Sequence, residues 1–155
     1  MKWLFLLTPL LLSSSFSWGQ PIKNRDSIEV MKAVDVLFEL FEKPDLNALE
    51  KISTDKIYCL ICSDLAEFNG DYLIDRKDFF ENHLNKIRHS DSFKLATKSK
   101  DIVLHNTDKP DTDIIVFITV YQANEIAPGH EGGQLGIHLK KVNGKFKFAG
   151  METIP

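Results

Sequence analysis

Apolar residues recur at helical spacing near the start of the chain. Asp26 and Glu29, three residues apart, match the pattern of a capping box at a helix N-terminus. The apolar residues that follow at this spacing are Ile28, Met31, Val34, Leu37, Phe38 and Phe41. We therefore predict a first helix that runs to about Lys43 and ends before Pro44.

Two more helices follow in the pattern. Asp45 is placed to cap a short second helix, whose apolar residues are Leu46, Leu49 and Ile52. Asp75 and Asp78 open a third helix, which carries Phe79, Phe80, His83, Leu84 and Ile87. The N-terminal half of the chain is thus predicted to be mainly helical.

Strand signals dominate from about residue 93 onward. The predicted strands are Phe93–His105, Asp113–Ala123, Gly133–Val142 and Lys145–Thr153. Asn143-Gly144 is typical of a two-residue turn in a β-hairpin. Two earlier strands are predicted in IYCLICSD (residues 57–64) and at residues 72–74. Helices followed by a run of antiparallel strands indicate an α+β fold.

This order of elements resembles the nuclear transport factor 2-like superfamily, which includes the ketosteroid-isomerase-like and polyketide-cyclase-like proteins. In the final hairpin, Gly144 matches the turn glycine of that superfamily, and Phe146 lies where a Trp is common. Phe148 takes an aliphatic position, whereas Gly150 and Glu152 replace two frequent histidines. The resemblance implies a cone in which a curved, mostly antiparallel sheet wraps about three helices around an apolar pocket.

Pairing geometry within the hairpin predicts which side chains face that pocket. A two-residue loop sets Leu139 opposite Phe148 and Leu135 opposite Glu152. The predicted apolar face holds Leu135, Ile137, Leu139, Phe146 and Phe148, and the other face holds His138, Lys140, Lys145 and Lys147. Glu152 therefore falls at the end of the apolar face, where burial would raise the pKa of its carboxyl.

The predicted pocket residues are Glu152, Tyr121, His83, Phe79 and Phe148. In the favoured interpretation they bind a small apolar or amphipathic molecule, or a partner segment, without catalysis. In the alternative, an isomerase, cyclase or dehydratase uses Glu152 as its acid or base, and Tyr121 or His83 polarises a carbonyl. No phosphate loop, nucleophile motif or cofactor fingerprint supports the enzyme, and we expect no cofactor.

A homodimer is also expected from the pattern. The strand at residues 114–121 is apolar on both of its faces, so both sides of the sheet must be covered. In the resembled fold the inner face meets helices and the outer face commonly meets a second subunit. A second copy of the chain is therefore the expected cover for the outer face.

The first nineteen residues predict export. The stretch MKWLFLLTPLLLSSSFSWG places one charge, Lys2, before an apolar run and then small polar residues, as a secretory signal peptide does. Cleavage after Ser17 or Gly19 would leave one domain, residues 20–155, in a secreted or periplasmic setting with no membrane anchor. The apolar run is short for a membrane span, and a retained membrane anchor is the alternative.

Both cysteines, Cys59 and Cys62, lie in one C-x-x-C spacing. If the segment is a strand, their Cα atoms lie about 10 Å apart and their side chains point to opposite faces, beyond the roughly 7 Å that a disulfide spans. We interpret them as thiols packed in the core. A bulged local disulfide, and redox or metal chemistry, are the alternatives.

Charge and composition exclude some partners. The chain of 155 residues is 43% apolar, which suffices for one ordinary core. The net charge is −3, and the 19 basic residues form no block that could follow a nucleic-acid backbone. We therefore expect no nucleic-acid partner. His130, Glu131 and His138 match no metal motif, so we also expect no metal site.

Overall fold

The computed structural model describes residues 24–62 and 72–154. Its helices are α1 (Asn24–Glu42), α2 (Leu46–Ile52), α3 (Arg76–Asp78), α4 (Leu84–Arg88) and α5 (Asp91–Ala96), with a π-helical turn (Phe79–His83) joining α3 to α4. Its strands are β1 (Ser53–Cys59), β2 (Leu73–Asp75), β3 (Ile102–Asn106), β4 (Ile114–Tyr121), β5 (Gly133–Val142) and β6 (Lys145–Ile154). The predicted α+β class is confirmed.

The six strands form one open sheet in the order β2-β1-β6-β5-β4-β3. Neighbouring strands run antiparallel except β1 and β6, which are parallel. The predicted, mostly antiparallel sheet is therefore confirmed. The parallel pair brings β1, near the start of the domain, beside β6 at its end.

The helices cover one face of the sheet, which we call the inner face. Phe148 of β6 packs there against Phe41 of α1 at a ring-centroid distance of 5.6 Å and against Phe79 at 5.5 Å. Phe93 of α5 stacks on Phe41 at 5.6 Å. All four rings are buried, so they fill much of the space between helices and sheet. The opposite face, the outer face, carries Tyr58, Ile115, Phe117, His138 and Glu152.

The β5–β6 hairpin begins in the predicted register and then shifts by one residue. Leu139 pairs with Phe148 as expected, but His138 pairs with Gly150. Strand β6 thus carries one extra residue at this point, which is a β-bulge. A shift of one residue transfers every later side chain of β6 to the other face of the sheet.

The bulge moves Glu152 from the inner face to the outer face. Glu152 lies opposite Gly136 rather than Leu135, and it shares its face with His138 rather than with Phe148. The prediction of its face was therefore wrong. The bulge lies beside a contact that the hairpin itself does not contain, since β1 runs along β6 and pairs Tyr58 with Gly150, the residue after the unpaired Ala149.

The predicted strand from residue 93 to residue 105 was wrong in its first half. Ser90 caps α5 there, and its side chain accepts a hydrogen bond from the Phe93 amide at 3.2 Å. Phe93 and Ala96, three residues apart, then turn to the core, which is helical rather than strand spacing. Strand β3 starts only at Ile102.

Cys59 and Cys62 form a disulfide, so the prediction of two free thiols was wrong. Strand β1 ends at Cys59, and a 3-10 turn (Leu60–Cys62) follows. The turn brings the two Cα atoms to 5.3 Å, well within the span of a disulfide. The bond closes the end of β1, where the Cys59 amide donates to the Tyr72 carbonyl at 2.8 Å.

Reducing this disulfide is expected to lower the free energy of unfolding by about 2 kcal/mol, because the bond removes loop entropy from the unfolded chain and its loop is short. Urea unfolding with and without a reductant measures the difference. A Cys59→Ala/Cys62→Ala variant is the control, since the reductant should leave its stability unchanged. Equal stability of the reduced and oxidised protein would contradict the expectation.

Two expectations concern residues outside the described ranges and a second copy of the chain. The predicted signal peptide, residues 1–19, lies outside the described residues. No helix within residues 24–62 and 72–154 is long and apolar enough to cross a membrane. The homodimer stays a prediction, which light scattering of the purified protein would test.

Candidate functional site

An apolar groove opens on the inner face, between α1, the end of α2 and the β5–β6 hairpin. It has a volume of about 370 Å³. Its apolar floor consists of Ala33, Val36, Ile52, Phe146 and Phe148, and its rim carries Glu29, Lys32 and Lys145. We call this space the inner groove.

Helical periodicity explains how α1 contributes to the inner groove. Glu29, Lys32 and Val36 follow one another at spacings of three and four residues, so they lie on one stripe of the helix. Val34 and Leu37, on the adjacent stripe, are buried in the core. The groove stripe is therefore left without a covering element, and Val36 keeps 43% of its surface exposed.

The charges around the inner groove are unevenly paired. Glu29 accepts a hydrogen bond from Arg25 at 3.1 Å. Lys141 binds Asp26 at 2.7 Å and lies 5.0 Å from the centre of the Phe146 ring. Among the described residues, Lys32 and Lys145 form no ion pair. The rim thus offers two unpaired ammonium groups beside an apolar floor.

Of the five residues predicted for the pocket, Phe148 borders the inner groove. Phe79 contacts Phe148 but is fully buried in the core. Tyr121 is the last residue of β4. It lies at the end of the strands opposite the hairpin turn, and it is half-buried. His83 lies in the π-helical turn, with its Nε2 3.8 Å from an oxygen of Asp78. The structure therefore brings together only the two phenylalanines.

Glu152, the fifth candidate, is the centre of a polar cluster on the outer face. Its Oε1 is 3.1 Å from His138 Nε2, and its Oε2 accepts from the Tyr58 hydroxyl at 3.5 Å. The other ring nitrogen of His138 is 3.2 Å from the Thr112 hydroxyl. His138 and Thr112 are almost fully buried, and Glu152 is 9% exposed. The cluster thus gives each buried polar side chain a partner.

The pKa of Glu152 is lowered, whereas the sequence led us to expect a raised value. The hydrogen bond with His138 is the main cause, and it outweighs the desolvation that acts in the opposite direction. His138 and Lys109 add Coulombic attraction. Glu152 is therefore held as a carboxylate, and the expected proton-holding carboxyl in an apolar setting was wrong.

A second cavity lies beside this cluster, and we call it the outer cavity. Its volume is about 210 Å³, and it lies between the β1–β2 edge of the sheet and the loop of residues 107–113. Its lining includes Tyr58, Tyr72, Leu73, Lys109, Pro110 and His138. The Tyr58 ring lies 4.8 Å from the His138 ring and 5.8 Å from the Tyr72 ring.

The Lys109 ammonium lies over the Tyr58 ring, 5.3 Å from its centre. The pKa of Tyr58 is raised, first by burial and then by the nearby charge of Glu152. Tyr58 therefore keeps its proton and remains a neutral ring with a hydroxyl donor. The outer cavity thus combines aromatic walls, one lysine and a carboxylate next to the Tyr58 hydroxyl.

Sequence reasoning missed Tyr58 and Lys109, and it placed His138 on the correct face without assigning it a role. Tyr58 lies 94 residues from its partner Glu152, and only the parallel β1–β6 pairing joins them. The available signal was weak. His138 alternates with the apolar residues of β5, so a buried His on the outer face needed a buried partner.

The chain matches no known family model and no curated protein. No three His, Cys, Asp or Glu side chains within the described part of the chain lie together as a metal site requires. The geometry of the two cavities is therefore the basis for a functional proposal.

Proposed function

We propose that this chain is an exported binding domain that holds an amphipathic molecule with an anionic head group in the inner groove. The observation that carries the proposal is an open apolar floor bordered by two unpaired lysines, Lys32 and Lys145. The volume of about 370 Å³ lies in the range of small-molecule sites. A carboxylate with a hydrocarbon tail, such as dodecanoate, has the matching chemistry.

The tail supplies most of the expected affinity. Burying apolar surface contributes about 25 cal/mol per Å², and Val36, Ile52 and Phe146 offer such surface on three different elements. The exposed lysines contribute less, about 1 kcal/mol or below for each ion pair, because water and salt screen them. The lysines therefore mainly select the sign of the head group.

The order of the elements supports a further part of the proposal, that the fold is a nuclear transport factor 2-like cone. Two helices, two strands, a helical segment and four strands follow one another as in that superfamily. In this proposal the inner groove takes the place of the superfamily's apolar pocket. The aromatic cluster around Phe41 and Phe79 fills the centre of the core. The space that remains open is the groove at the hairpin end.

Binding is better supported than acid/base catalysis in the inner groove. Glu29 is the carboxylate among the groove residues, and it pairs with Arg25. Glu152, the carboxylate on which the enzymatic alternative depended, lies on the other face of the sheet. Among the described residues that line it, the inner groove thus has no desolvated carboxyl to act as a general base.

A Val36→Glu variant is expected to weaken dodecanoate binding by about tenfold or more, because it places a negative charge on the apolar floor beside the bound tail. Titration calorimetry of the signal-free protein measures this change. Val103→Glu is the matched control, since Val103 is an exposed valine on β3 that does not line the groove.

Head-group selectivity provides the second arm of this test. Dodecanoate should bind more tightly than the alkylammonium ion with the same tail, and Lys32→Glu/Lys145→Glu should reverse that order. Equal binding to wild type, Val36→Glu and Val103→Glu would refute the groove as the site.

A further inference from the structure

The outer cavity presents an ammonium group on an aromatic surface, although it lies on the face of the sheet opposite the inner groove. The Lys109 Nζ lies 5.3 Å from the centre of the Tyr58 ring, within the range of a cation–π contact. We propose that the outer cavity is a second binding site, for a small alkylammonium ligand such as choline, and that Lys109 lies where the ligand ammonium binds.

Two tyrosine rings form the walls that such a ligand needs. The Tyr72 ring meets the Tyr58 ring edge-on, at 76° and 5.8 Å, and the buried His138 ring packs against Tyr58 at 4.8 Å. Leu73 and Pro110 add apolar surface. Angled rings around one space are the arrangement by which proteins recognise quaternary ammonium groups, whose methyl groups contact the ring faces.

The carboxylates around the cavity favour a cation over an anion. Glu152 accepts a hydrogen bond from the Tyr58 hydroxyl at 3.5 Å and so lies at the tip of this ring. The lowered pKa of Glu152 keeps its carboxylate charged. Asp111, at the exposed edge of the cavity, adds a second carboxylate. A ligand carboxylate bound there would meet both of these negative groups, whereas a ligand ammonium is attracted by them.

The size of the outer cavity limits the ligand. Its volume of about 210 Å³ is below the roughly 300 Å³ at which sites for drug-sized ligands begin. A trimethylammonium group with a short polar tail matches this size class. Longer amphiphiles fit the inner groove better, so the two cavities are expected to take different ligands.

Lys109 can leave the rings while its loop stays in place. Lys140 donates to the Pro110 carbonyl at 2.9 Å, and the Thr112 hydroxyl contacts His138 at 3.2 Å. These bonds hold the part of the loop that follows Lys109 against the outer face of the sheet. The lysine itself is exposed, with a flexible stem, and is thus free to yield its position.

The decisive comparison uses choline and its uncharged isostere, in which a carbon atom replaces the nitrogen. Both have the same shape, so the difference between them isolates the charge. NMR titration of the signal-free protein is expected to show choline binding at least about tenfold more tightly, with shifts centred on Tyr58 and Tyr72. Equal binding of the two compounds, or shifts elsewhere, would overturn the proposal.

Variants separate the rings from the competing lysine. Tyr58→Leu should weaken choline binding about tenfold, whereas Tyr58→Phe, which keeps the ring, should bind nearly as wild type. Lys109→Gln should strengthen binding several-fold, because it removes the internal cation. Lys94→Gln, an exposed lysine on α5, is the control and should change nothing.

The Lys109→Gln variant tests the proposed choline site even if Tyr58→Leu does not fold. Unchanged or weaker choline binding in Lys109→Gln would show that Lys109 does not compete for the site, and the proposal would be wrong. The test is independent of the inner groove, since none of these residues borders it.

Discussion

Replacing Gly150 by alanine is expected to destabilise the fold by about 3 kcal/mol or more, because β1 and β6 are in contact at this residue. An added Cβ would lie 2.6 Å from the Tyr58 Cβ and 2.9 Å from its carbonyl carbon, and closer still to its carbonyl oxygen. Backbone atoms cannot move aside as a flexible side chain can. The parallel strands would have to separate.

Gly144→Ala is the matched control for this substitution. Gly144 has a positive φ of 77°, but nothing lies within 4 Å of an added Cβ. Its cost is therefore backbone strain alone, about 1 kcal/mol. Urea unfolding followed by circular dichroism measures both variants. Equal destabilisation of the two variants would contradict the close approach of β1 to the bulge.

Replacing His138 by leucine is expected to cost about 3 kcal/mol of stability, because it leaves the Glu152 carboxylate without its main partner in a largely buried position. Removing both partners should cost less than removing His138 alone. The His138→Leu/Glu152→Leu variant is therefore expected to be more stable than His138→Leu. The reverse order would show that the pair does not act as a unit.

The pH dependence of stability gives an independent check on Glu152. Its pKa is lower in the folded protein than the unfolded value of about 4.3. Its contribution to stability is therefore fully present above that unfolded value and is lost as the pH falls through the lower, folded pKa. Glu152→Gln should lose less stability than wild type over this acidic range. An identical acid response of both proteins would show that Glu152 contributes nothing there.

Local sequence signals located most of the elements. The periodicity from Ile28 to Phe41 predicted α1, and Asp45 caps α2 as expected, accepting from the Ala48 amide at 3.1 Å. Asn143-Gly144 predicted the hairpin turn, and Asn143 adopts a positive φ of 52° there. These features depend on neighbouring residues alone, which explains why the sequence was enough.

The candidate site depended on contacts between distant parts of the chain. The bulge at Gly150 forms beside Tyr58 of β1, so the hairpin pattern alone could not reveal that Glu152 faces His138. The disulfide was missed for a related reason. The strand pattern of IYCLICSD continued past Cys59, whereas the chain turns there.

The inner groove is also a product of tertiary structure. Its floor combines residues of α1, α2 and the hairpin, and only Phe148 among the predicted pocket residues borders it. The sequence predicted an apolar space between helices and sheet, but large aromatic side chains occupy the centre of that space. The groove at the hairpin end is what the packing leaves open.

The most direct measurement is an NMR titration, with dodecanoate, of the protein lacking residues 1–19. Ligand-induced shifts are expected to concentrate on the groove residues Lys32, Val36, Ile52 and Phe146, and to leave the outer-face residues His138 and Glu152 unchanged. Saturating shifts at the groove would support the proposed function. No saturable shift, or shifts confined to the outer face, would contradict it.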